Sequence, residues 1–173
     1  MAASEDLIGA ACASLTTLAE HVSSLSPSEY TETAAELSGA SIGMHVRHCL
    51  DHFAALRRGL PRGRVDYDER ERAVSLECDR DCAARLAREL AAKLRLALRD
   101  VRLEQPVLVR TASSPDGEVA WQPSSVGREL QFLVSHTVHH AAMIAASCRI
   151  RGLSVAEEHG VAPSTLRHRT SSC

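Results

Sequence analysis

Six of the nine histidines fall in two short runs, His45, His48 and His52 in GMHVRHCLDHF and His136, His139 and His140 in LVSHTVHHAAMI. Neutral imidazole is the commonest protein ligand for divalent metals, and two from one helix joined by one from another build a site with open coordination positions. Three such ligands leave the ion its full charge, able to acidify a bound water or thiol and to polarise a carbonyl. Zinc suits three nitrogens best, and nickel, manganese and iron also accept imidazole. Asp51, Glu129 and His52 are candidates for orienting a ligand or acting as general base. Cys78 and Cys82, at i,i+4 spacing, are a second candidate chelating pair, set against the commoner use of cysteine as a small inert buried residue.

Both histidine runs lie in helical patterns. Leu7, Ala11, Leu15, Leu18 and Val22 recur at helical spacing and predict a first helix over about residues 4–23, broken at Ser24 to Pro27. After a polar link, Ser41 is the expected N-cap of a second helix whose stripe is Ile42, Val46, Cys49, Phe53, Leu56 and Leu60, ended by Pro61 and Gly63. Residues 62–80 are charged without strong periodicity and read as a surface link. Leu86, Leu90, Leu94, Leu98 and Val101 predict a third helix stopped by Pro106. PVLVRTA and EVAWQ, on either side of the turn sequence SSPDG, predict a short hairpin or extended excursion. Ser124 or Ser125 caps a fourth helix that runs through Leu130, Leu133, Val134, Ile144 and Cys148 to Gly152. The tail 153–173 is expected to hold one helical turn before Gly160, then a proline-containing segment against the bundle, with frayed final residues. The expected fold is therefore all-α, an up-down four-helix bundle in one domain spanning 1–173, with the excursion before its last helix.

On a helical wheel of about 100° per residue, His136 and His140 lie within about 40° of each other at the edge of the apolar side, whereas His139 points away. His136 and His140 are thus the chelating pair. On the second helix His45, His48 and His52 share an arc of about 60° beside the apolar stripe. Periodicity places His45 and His52 nearer the buried face than His48, and any of the three is within reach of the other helix.

Composition limits the alternatives. The chain has 173 residues, 45% hydrophobic and only 3% aromatic, enough for one core built from Leu, Val, Ile and Ala. No run approaches the ~20 apolar residues of a membrane span, and the N-terminus lacks the basic region of an export signal. With a net charge of −2 and arginines interleaved with acids, there is no basic stripe for nucleic acid. Six scattered cysteines without CxxC spacing fit a reducing cytoplasm better than a disulfide framework.

SIGMHVRHCLDHF followed by SHTVHHAAMI resembles the DinB/YfiT-like superfamily of metal-binding four-helix bundles, and the likeness runs from about residue 5 to 152. In that family a serine or threonine opens the second helix and a ligand histidine follows seven residues later, here Ser41 and His48, and an HxxxH pair on the last helix matches His136 and His140. The resemblance implies metal ligands His48, His136 and His140, with His45 and His52 as substitutes. Characterised relatives include transferases and isomerases that use low-molecular-weight thiols such as bacillithiol or mycothiol, and others are described as metal-dependent hydrolases. After His140 this chain has Ala141, Ala142 and Met143 where many relatives carry Arg-Gly-Gln, so the substrate side of the site differs.

The expectation is a metal-dependent transferase or hydrolase acting on a small molecule, with a low-molecular-weight thiol as a candidate co-substrate. The alternative is a non-catalytic helical module that binds metal or senses metal or pH. No membrane or nucleic-acid partner is expected, and relatives of this family often form homodimers.

Overall fold

Four long helices carry most of the chain: α1 (Ala2–Ser24), α3 (Ile42–Gly59), α5 (Arg80–Ala97) and α6 (Val126–Ile150). The structure is a computed structural model that describes residues 2–35, 39–112, 116 and 119–171. α1 packs along α5 and α6, and α3 packs against the same two, so each long helix touches two others. Between them lies one contiguous apolar cluster that includes Leu15 and Val22 of α1, Val46, Phe53 and Leu56 of α3, Leu90 and Leu94 of α5, and Leu130 and Ile144 of α6. Full burial of each large side chain contributes roughly 1.5–3 kcal/mol, which favours the helical arrangement over any that exposes these stripes. Among the described residues no helix is long and apolar enough to cross a membrane.

The first two long helices start and stop close to where the pattern places them. Ser41 caps α3 by accepting a hydrogen bond from the Met44 amide at 3.1 Å, and Ser125, rather than Ser124, caps α6 through the Arg128 amide at 3.2 Å. α5 ends earlier than the pattern places it. It begins at Arg80 because the Asp79 carboxylate accepts from the Asp81 and Cys82 amides, and it ends at Ala97, well before Pro106. The Asp79 cap also separates α5 from a one-turn helix, α4 (Ser75–Cys78), so Cys78 and Cys82 do not share a helix and the i,i+4 premise fails. Among the described residues the cysteines are free, with Cys78 exposed and neither member of the pair in a candidate metal group.

The polar link before α3 contains a short helix, α2 (Pro27–Thr31). It is held by a reciprocal cap in which the Ser26 hydroxyl accepts from the Glu29 amide and the Glu29 carboxylate accepts from the Ser26 amide. The strands β1 (Thr33–Ala34) and β2 (Ala40–Ser41) pair antiparallel just before α3.

The segment 62–80 is not a structureless link. It contains β3 (Arg64–Asp66), which pairs parallel with β4 (Pro106–Arg110), and β4 pairs antiparallel with β5 (Gln122–Ser125). The expected hairpin therefore exists, but its second strand is QPSS rather than EVAWQ, and it gains a third strand from across the chain. The turn SSPDG lies outside the described residues apart from Asp116. Gly59, at the end of α3, lets the β3 backbone cross close by, since a Cβ there would overlap the carbonyl of Arg64 and the Cα of Val65.

The tail departs from the sequence reading in extent. Turns at 157–160 lead to α7 (Pro163–Ser171), longer than the expected segment, while residues 172–173 lie outside the described residues. Gly160 has φ +78°, and a Cβ there would overlap the Ala141–Ala142 backbone, so the tail lies tightly against α6.

Candidate metal centre

α3 and α6 face each other where the two histidine runs meet. His48 from α3 and His136 and His140 from α6 each present one ring nitrogen, and the three atoms lie within 4.8 Å of one another. The helical step explains the pairing on α6, because residues one turn apart project from the same side. The ring centroids of His136 and His140 are 4.6 Å apart, and those of His48 lie 4.9 and 4.7 Å from them. His139 is exposed, as the wheel predicts, and touches the group only through its ring contact with His140 at 5.1 Å.

On α3 the wheel is right about the depth of His52, whereas His45 and His48 are both half-buried, and it does not foresee proximity to the pair. His52 is the most buried of its three histidines, at 7% exposure, yet it is not one of the three converging nitrogens. Its ring stands 4.4 Å from His48 and 4.5 Å from His136. A carbonyl can only accept, so the 2.9 Å contact between His52 Nδ1 and the His48 carbonyl puts the proton on Nδ1. The lone pair of His52 is thereby left on Nε2.

His45 stands behind His140, with their Nδ1 atoms 3.0 Å apart. One nitrogen must donate and the other accept. If His140 is to offer its Nε2 lone pair, it must carry its proton on Nδ1 and donate to His45, the arrangement by which a ligand imidazole is usually oriented.

Burial, followed by neighbouring imidazoles, pushes the pKa of His48 and of His140 down to about 3 and that of His136 down to about 4. All three are neutral near pH 7 and have lone pairs to give. The Nε2 of His136 is buried and has no hydrogen-bond partner, as does the Nε2 of His45. An orphaned imidazole nitrogen at the convergence of three neutral rings fits a divalent ion of the kind that takes nitrogen ligands.

One contact must yield for that fit to be complete. Arg70 Nη1 approaches His48 Nδ1 at 2.9 Å. Guanidinium only donates and a neutral imidazole has one ring lone pair, so His48 serves Arg70 or a metal, not both.

The carboxylates are placed differently. Asp51 pairs with Arg47 at 3.3 Å and lines a separate crevice with Leu50 and Ala54, away from the histidines. Glu129 is 5% exposed, and its two oxygens are taken by the Tyr67 hydroxyl at 2.7 Å and the Ser124 hydroxyl at 2.5 Å. Such a carboxylate is a structural acceptor rather than a free base. It holds Tyr67, whose ring stacks on His52 at 5.4 Å, and Phe132 packs against Tyr67 and His136.

Tyr67 and Arg70 escaped the sequence reading because they lie in the charged link, where no periodicity marks them. The one signal was composition, since Tyr67 is one of only two tyrosines.

A protein of Rhizopus delemar described as FK506-binding protein 5 is 37% identical over 108 residues, which cover 60% of this chain and 27% of that protein. The chain thus matches about a quarter of that relative's length. No solved structure matches it significantly. The model of the DinB superfamily matches residues 13–144, a span that contains α3, most of α6 and all six clustered histidines. The chain belongs to the DinB superfamily.

Proposed function

We propose that this chain is a single DinB-like domain, its four long helices forming an up-down bundle, which holds a divalent transition metal on His48, His136 and His140. We further propose that it uses the metal in transfer or hydrolysis chemistry on a small molecule. The observation that carries the reading is the convergence of three neutral imidazoles, one nitrogen of each within 4.8 Å of the others, together with the buried and unpartnered Nε2 of His136. Zinc is the first choice for such a ligand set, and nickel, manganese and iron are the alternatives.

A divalent ion on three neutral ligands keeps its charge and an open position, and so lowers the pKa of a bound water or thiol and polarises a carbonyl. The protein's own groups arrange the surroundings. His45 accepts from His140 and fixes its tautomer. His52, with its proton held on Nδ1 by the His48 carbonyl, offers Nε2 as a hydrogen-bond acceptor beside His48 and His136. Tyr67 and Phe132 wall that side with apolar rings and exclude water.

A thiol nucleophile, if used, is not Cys49, the cysteine inside the α3 histidine run. Cys49 is buried on α3, and burial pushes its thiol up to about 12, far from a thiolate. This supports a low-molecular-weight thiol as co-substrate over Cys49. A pH sensor working near neutrality is disfavoured, because burial takes the three converging histidines down to about 3 to 4.

Metal analysis of untagged protein after reconstitution with zinc tests the proposal. About one equivalent is expected in the wild type and a large loss in His136→Ala, whereas under about a tenth of an equivalent in the wild type would sink it.

A further inference from the structure

Beside the histidine cluster the end of α3, β3 and the end of β4 enclose a cleft of about 610 Å³, within the range of small-molecule sites. Five arginines line it against three carboxylates. Two of the five are neutralised in place, Arg58 by Glu71 at 3.5 Å and Arg110 by Asp66 through Nε at 2.9 Å. Arg62, Arg64 and Arg70 have no carboxylate partner among the described residues.

We propose that this cleft binds the anionic group, carboxylate or phosphate, of a small-molecule substrate, and that Arg70 joins it to the metal centre. The substrate role rests on the metal-centre reading above; the binding of an anion does not. Surface arginines without a carboxylate partner are common, but these three line one concave space, and two further contacts fix its wall. The guanidinium groups of Arg64 and Arg110 lie 5.7 and 5.0 Å from the centroid of the Trp121 ring, a cation–π arrangement that restrains side chains otherwise free to wander into solvent. Gly59 allows the β3 backbone that carries Arg64 to pass close to α3. Planar guanidinium groups held in this way favour bidentate binding of carboxylate or phosphate.

Arg70 lines the cleft and also donates to His48 at 2.9 Å. An anion in the cleft is therefore one side chain away from the converging imidazoles. Since His48 has a single lone pair, its use as a metal ligand releases Arg70 toward the anion.

Trp121 is the only tryptophan in the chain, so its fluorescence reports on this cleft alone. The zinc-reconstituted protein is titrated at constant ionic strength with glycerol 3-phosphate, with succinate and with glycerol, and Trp121 emission is followed. A saturable change with at least one anion and none with glycerol is expected, and the preferred anion distinguishes phosphate from carboxylate. In R62A/R64A, whose altered side chains are exposed, half-saturation should rise about tenfold or more while the melting curve and zinc content stay those of the wild type. His136→Ala should lose zinc and keep saturable anion binding, which separates failure of the cleft from failure of the metal site. Absence of saturation with both anions up to about 20 mM, roughly the weakest affinity expected of a specific site, overturns the proposal. So does an unchanged half-saturation in the folded double variant.

Discussion

Replacing His45 by leucine probes how the candidate metal site is oriented, without touching any of the three converging nitrogens. In the structure His45 Nδ1 lies 3.0 Å from His140 Nδ1, and His45 Nε2 is buried without a partner. If His140 ligates through Nε2, its Nδ1 proton must go to His45, and leucine removes the acceptor. Loss of such an orienting hydrogen bond typically lowers metal affinity 10- to 100-fold, about 1.4–2.7 kcal/mol. The effect on the metal-free fold should be small, because the substitution also removes an unsatisfied buried nitrogen that costs about 1–3 kcal/mol. Zinc affinity is read by competition with a chromophoric chelator at pH 7.5, and metal-free stability by urea unfolding. An affinity within about twofold of the wild type, well short of what losing an orienting ligand should cost, would refute the assigned tautomer and the role of His45.

Tyr67→Phe leaves one oxygen of buried Glu129 without its 2.7 Å donor and should cost about 1–3 kcal/mol in urea unfolding; no measurable loss would show that water replaces the hydroxyl. Gly59→Ala forces a Cβ into the backbone of Arg64 and Val65, atoms that cannot rotate aside, and should destabilise by about 1–3 kcal/mol. The tail supplies a pH prediction. Burial, followed by the neighbouring His21, pushes His159 down to about 4, against 6.5 for the free side chain. The unfolded chain therefore binds the extra proton, so stability is intact above about pH 6.5 and falls as pH drops toward 4. With partial exposure discounted, the loss between pH 7 and pH 5 is about 1–2 kcal/mol. His159→Leu should shrink the difference between melting curves at those two pH values, and an unchanged difference would assign that acid sensitivity to other groups.

The sequence showed most clearly what depends on local periodicity. The stripes of α1, α3 and α6 lie in single helices, and Ser41 and the HxxxH pair lie one or two turns from what they position, so residue type and spacing were enough to find them. The reciprocal cap Ser26-x-x-Glu29 is readable by residue type and spacing, but the five helical residues after it leave no periodic trace to mark a helix. β3 could not be read in this way. Its three residues pair with β4 some forty positions away, and Val65 between charged neighbours gives no alternation. Arg70 and Tyr67 reach the site through that same non-local pairing. Among the α3 histidines, the wheel picked out the depth of His52 in the core, whereas convergence depends on where α3 and α6 face each other at the margin of the core. His48, less buried than His52, lies at that margin.

Anomalous diffraction from crystals of the zinc-loaded protein tests the central claim most directly. The account predicts one anomalous peak bonded to nitrogens of His48, His136 and His140, with Arg70 withdrawn from His48. A peak bound elsewhere, or none between α3 and α6 with Arg70 still on His48, would contradict it.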